Sequence, residues 1–112
     1  FTTDSAAALA FYQELFGWQP TEALDMGPMG VYRMFGRTAA HSMGGMMNKT
    51  PEMQMPNAWT LYFKVPDVHA ATERVKAGGG QVLHGPVEVP GGDWIVQAMD
   101  PQGAAFALHQ AK

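Results

Sequence analysis

Four histidines, ten acidic residues and no cysteine are the groups through which this chain could do chemistry. Lack of thiols removes disulfides, thiolate metal sites and cysteine nucleophiles together. The histidines, His41, His69, His84 and His109, nowhere show the His-x-x-x-His spacing that sets two ligands on one helical face. His69 falls in the first turn of a predicted helix and His84 at a predicted strand end before Gly85-Pro86, both surface or rim positions. Asp4, Asp67 and Asp100 stand where helix caps and turns need an acceptor, so they read as structural. No Gly-x-Ser-x-Gly elbow and no Gly-x-x-x-x-Gly-Lys phosphate cradle occurs, and paired carboxylates on the predicted strands are missing. Seven Lys and Arg against ten Asp and Glu give a net charge of −3 without a basic stripe, which argues against a nucleic-acid partner. No apolar run approaches the roughly 18 residues of a membrane span, and no basic-then-apolar leader stands at the start. A cytoplasmic protein with no membrane partner is expected.

The elements that must position these groups come in two copies. At an offset of 63 residues, Asp4 falls on Asp67, Ala7 on Ala70, Ala8 on Ala71 and Gly17 on Gly80. Each segment reads as a helix entered through an Asp cap and left through Gly. Ala8, Phe11, Tyr12 and Leu15 form the apolar stripe of the first, and Val68, Ala71 and Val75 that of the second. Three strand-like stretches follow each helix: 18–23, 31–35 and 38–43, then 81–84, 94–99 and 104–109. Gly, Pro and the Asp100-Pro101-Gln102-Gly103 turn separate them. A further strand, 59–65, precedes the second helix; only Phe1 and Thr2 remain of its partner, so part of that strand is expected to precede Phe1. The chain is expected to be one domain of two modules, 1–47 and 59–112, joined by a linker 48–58, with five methionines (Met43, Met46, Met47, Met53 and Met55) in and flanking the loop 44–58.

The stretch Ala10-Phe11-Tyr12-Gln13-Glu14-Leu15-Phe16-Gly17-Trp18, the strand ending Phe63-Lys64-Val65-Pro66-Asp67-Val68, the Gly78-Gly79-Gly80 stop and Asp100-Pro101-Gln102-Gly103-Ala104 carry a resemblance. In that order and spacing they resemble the glyoxalase/bleomycin-resistance/extradiol-dioxygenase, or vicinal oxygen chelate, superfamily. The resemblance implies an α+β fold of two tandem βαβββ modules forming a cupped mixed sheet, with helices on the outer face and a cavity inside. It does not imply one function, since members include isomerases, dioxygenases, resistance enzymes and metal-free binding proteins. In metal-using members His, Glu or Gln ligands come from four equivalent strand positions. Here the carry-over lands on Thr60, Ala107, Gly44 and a residue before Phe1. Thr, Ala and Gly do not replace those ligands, so neither metal nor cofactor is expected.

If Thr60 faces the cavity, alternation places Tyr62 and Lys64 there too, with Trp59, Leu61, Phe63 and Val65 against the helices. Ala105, Ala107 and His109 face in on the last strand, and Ser42 joins Gly44. The candidate ligand-binding residues are therefore Tyr62, Thr60, Ser42, Ala107, His109 and Met46, the last as part of a methionine lid that can equally be core. Trp94 and Gln97 have opposite parity, which leaves open which of them faces the cavity. The expected function is metal-free binding of a small apolar or aromatic ligand, in a homodimer. One alternative is a lyase, isomerase or dioxygenase-like enzyme with a non-standard or inter-subunit site, using Tyr62 or His109; another is a module whose work is assembly.

Overall fold

A computed structural model describes residues 1–112. Its elements are α1 (Ser5–Phe16), β1 (Gln19–Asp25), β2 (Val31–Gly36), β3 (Gly44–Met46), β4 (Tyr62–Lys64), α2 (Val68–Ala77), β5 (Gln81–Glu88), β6 (Trp94–Met99) and β7 (Ala105–Gln110). The fold is α+β. Strands β1-β2-β3 make an antiparallel sheet, and β4-β7-β6-β5 make a second, mixed sheet in which β4 runs parallel to β7. The chain divides into two compact units, Phe1–Trp59 and Thr60–Lys112. The stretch 48–58 is fastened within the first unit: Asn57 Nδ2 donates to Thr3 Oγ1 at 3.1 Å and Lys49 Nζ to the Met55 carbonyl at 2.9 Å.

Helix starts and stops follow the capping chemistry. Asp4 accepts from the Ala7 N–H, and Asp67 accepts from those of His69 and Ala70. Gly17 ends α1 at φ 72°, a left-handed position that disfavours a side chain. In unit two, Val68, Ala71, Val96 and Leu108 form the core, with Val65, Val75, Val82, Trp94 and Phe106 packed on it. In unit one, Leu9, Phe35 and Met46 form the core, flanked by Ala8, Tyr12 and Trp18.

The duplication extends to single hydrogen bonds. In unit two, Val65 N–H donates to the His109 carbonyl at 2.9 Å, and Gln110 Oε1 accepts from the first helical N–H, that of Val68, at 2.8 Å. In unit one, Thr2 N–H donates to the Met47 carbonyl at 2.9 Å, and Asn48 Oδ1 accepts from Ser5 N–H at 2.7 Å. Each module thus satisfies an orphan donor of its helix with an amide side chain from the end of its last strand. The two differ beneath that cap. Val68 packs on Val96 in unit two, whereas the matching pair in unit one is Ser5, 3% exposed, accepting from Arg33 Nε at 3.1 Å. A hydrogen bond there replaces an apolar contact.

Several elements depart from the sequence expectation. The third strand of unit one is Gly44–Met46, and the stretch 38–43 expected for it is a turn bridged only between Thr38 and His41. Propensity opposes strand at Gly44-Gly45, but rings occupy the space where their side chains would stand. A Cβ on Gly44 would lie 2.8 Å from the Phe35 ring, and one on Gly45 would run into the Tyr32 ring. The strand expected over 59–65 shortens to Tyr62–Lys64. Strand β5 continues through Gly85-Pro86 to Glu88, because an edge strand tolerates proline and absorbs the irregularity as register shifts. On α1, Phe11 and Leu15 are exposed, and Ser5 and Leu9 are the buried positions. Trp59, Leu61 and Phe63 are exposed as well, so of that expected helix-packed row only Val65 joins the core.

Candidate functional site

The side of the unit-two sheet turned away from α2 carries the polar groups. Phe106 and Leu108 pack towards the helix, so alternation sends Ala105, Ala107 and His109 to the opposite face. Register then fixes the neighbours. Ala107 stands between Tyr62 on β4 and Gln97 on β6, while His109 stands between Lys64 and Ile95. Gln97 Nε2 donates to the Tyr62 hydroxyl at 3.3 Å, across the row that Ala107 occupies. Ala107, between the two in register, is fully buried. The question of parity on β6 is settled: Gln97 shares the face of Tyr62, and Trp94 packs on the helix side, edge-on to His69 at 5.1 Å.

Beside this row, His109 Nε2 lies 2.6 Å from Asp93 Oδ2, and the second Asp93 oxygen accepts from Lys112 N–H at 3.1 Å. The His109 contact, then the Lys112 N–H, hold the Asp93 carboxyl below the ordinary carboxylate range, against a smaller opposing push from burial. Asp93 is therefore ionised and accepts, which assigns the proton of the pair to His109 Nε2. A depressed carboxyl contributes stability that is complete above its unfolded value and disappears as pH falls through its folded value. Asp93→Asn is expected to lower stability at neutral pH, with the difference from the parent narrowing in acid. Urea titrations over an acid-to-neutral series measure this, and a deficit independent of pH would contradict it.

The remaining candidates lie elsewhere. Thr60 precedes β4 and is exposed, outside the strand that was expected to aim it. Ser42 lies in the loop before β3, its hydroxyl 2.5 Å from that of Thr21, in an open hollow of about 380 Å³ with Arg37, Thr38, His41 and Met43. Met46 is 7% exposed and packed with Leu9 and Phe35, so it is core. Gly44 needs correction too: it pairs with Phe35 and shares its core-facing side. The residue on the helix-free face is Gly45, paired with Met34 and covered by the Tyr32 ring. Matching Met34–Gly45 to Gln97–Ala107 puts the strands 63 and 62 residues apart, because the chain from Met34 to its partner Gly45 is one residue longer than that from Gln97 to Ala107. A one-residue slip inverts every face assignment on a strand. Asp93 escaped the sequence reading because only the β6–β7 register brings it to His109.

In neither unit do three His, Asp or Glu side chains gather at metal-binding distance. No helix is long and apolar enough to cross a membrane.

Comparison with known proteins gives the architecture its relatives. Residues 1–108 match the family model described as Glyoxalase/Bleomycin resistance protein/Dioxygenase superfamily. The chain is 38% identical over 112 residues to "Putative glyoxylase CFP32" of Mycobacterium tuberculosis, and 34% identical over 116 residues to "Anthracycline biosynthesis protein DnrV" of Streptomyces peucetius. These alignments cover 98% and 94% of the chain but 42% of each relative, so the chain spans about two-fifths of the length of these proteins. An uncharacterized protein from Methanosarcina mazei shares the fold at a TM-score of 0.57 and 16% identity, over 99% of this chain and 86% of that one. Helix caps, strand order and the repeated amide bonds accord with that match, and the chain belongs to the Glyoxalase/Bleomycin resistance protein/Dioxygenase superfamily.

Proposed function

We propose that this chain binds a small apolar or aromatic ligand and does so without a metal ion. One observation carries the reading. The last-strand positions from which metal-using relatives are expected to offer ligands hold Gly45 and Ala107, and each is covered, by the Tyr32 ring and by the Tyr62–Gln97 contact. Neither residue has a side-chain atom that could bind a metal ion. On the helix-free face of unit two, Tyr62 supplies flat apolar area with a polar tip, which suits an aromatic ligand carrying a hydrogen-bonding group. A relative named for anthracycline biosynthesis supports an aromatic ligand class. Because Gln97 donates to the Tyr62 oxygen, the Tyr62 hydroxyl proton is left to donate to a ligand.

The test has two parts. Purified protein incubated with Ni, Zn, Mn and Fe(II) and then desalted is expected to carry no stoichiometric metal by elemental analysis. Ligand titrations across a set of aromatic hydroxy and keto compounds are expected to give saturable binding, weakened about 5- to 10-fold in Tyr62→Phe through loss of one neutral hydrogen bond of about 1 kcal/mol. One metal per chain would overturn the metal-free reading, and absence of saturable binding across the set would overturn the ligand-binding one.

A further inference from the structure

We infer that the His109–Asp93 pair is a proton-accepting site on the helix-free face of unit two, selecting aromatic ligands that bear a weakly acidic hydroxyl and holding them as the phenolate. The inference rests on the aromatic-ligand reading above and adds which group on the ligand is recognised. Its geometry is contained in one module. Asp93 Oδ2 accepts a hydrogen bond from the Nε2–H of His109 at 2.6 Å, which leaves the Nδ1 lone pair as the basic position of the ring. No protein group bonds to Nδ1, yet no buried side-chain nitrogen or oxygen lacks a partner, so Nδ1 is reached by solvent. A base oriented by a carboxylate and open on its other nitrogen is the arrangement that general-base sites use.

The surroundings favour transfer from oxygen to nitrogen. Lys64 is the register partner of His109 on β4, Asp93 faces it from the start of β6, and Lys112 follows β7 and binds Asp93 through its backbone. When the ligand O–H bond breaks, its proton forms a bond to Nδ1 and the electron pair stays on the phenolate oxygen. The resulting imidazolium is balanced by Asp93 and the phenolate by Lys64 and the imidazolium, so neither new charge is left alone. Tyr62 stands one row along the same face, two residues from Lys64, where its hydroxyl can donate to a second oxygen on the ring system. No oxidant, metal or further reactant is required.

The matched probes 4-nitrophenol and 4-nitroanisole separate this inference from the reading beneath it. They share a ring and differ in the acidic proton. Bound 4-nitrophenol is expected to show its yellow phenolate band at a lower pH than free probe. In His109→Asn and in Asp93→Asn its affinity is expected to fall about tenfold, roughly 1.4 kcal/mol, with 4-nitroanisole binding unchanged. Equal binding of both probes without an ionisation shift would overturn the proton-accepting role and leave ligand binding standing. No saturable binding of either probe would overturn both. Nitrogen-15 NMR of the ligand-free parent gives a reading that needs no variant: the Nε2–H tautomer of His109 is expected, and an Nδ1–H tautomer would overturn the inference.

Discussion

Ala107→Glu is expected to destabilise the protein by about 1–3 kcal/mol and to bring no metal with it. Glutamate is a residue type that would supply a metal-binding oxygen, so a vacant ligand position would accept it without penalty. Ala107 is fully buried between Tyr62 and Gln97, whose side chains meet across its row. The longer side chain must part that contact and displace its neighbours from a position that is now fully buried. Urea unfolding measures the loss, and elemental analysis of the same sample measures the metal. Parental stability together with one bound ion would mean that the position is a dormant ligand site, contrary to the reading of this face.

The other large effect belongs to the first unit. Phe35→Ala is expected to cost about 3–5 kcal/mol and to remove the near-ultraviolet dichroism of the stacked rings. Phe35 is 3% exposed and packs with Leu9 and Met46. Its ring lies 4.6 Å from that of Trp18 at an interplanar angle of 11°, with Trp59 edge-on at 6.2 Å. It also fills the space above Gly44, so truncation opens a void that a glycine strand has no side chain to refill. A loss below about 1 kcal/mol would show that the cluster collapses around the gap.

Much of this architecture could be read from residue order because its signals are local. The Asp4 and Asp67 caps, the Gly17 stop and the strands β2, β6 and β7 fall within a residue or two of expectation. What escaped depends on contacts distant in sequence. Gly44-Gly45 is a strand because the Phe35 and Tyr32 rings claim its side-chain volume, which no propensity records. The single extra residue before β3 moved the face assignment from Gly45 to Gly44, although neither glycine offers a ligand atom. Tyr62, Ala107 and His109 share one face as alternation predicted, whereas Thr60 falls short of the strand and Met46 turns into the core. Asp93 follows the Pro90-Gly91-Gly92 turn and read as loop, since its meeting with His109 sixteen residues on needs the hairpin register.

The amide caps at Asn48 and Gln110 tie the first helical residue to one 43 or 42 positions later, nearly the span of each module. A helix capped in this way leaves its first N–H without that partner until the end of the last strand has docked. The same bond is lost when the end of the final strand leaves, so the helix start and the strand end are coupled. Hydrogen exchange at the Ser5 and Val68 amides would therefore report loss of the entire module, not fraying of a helix end.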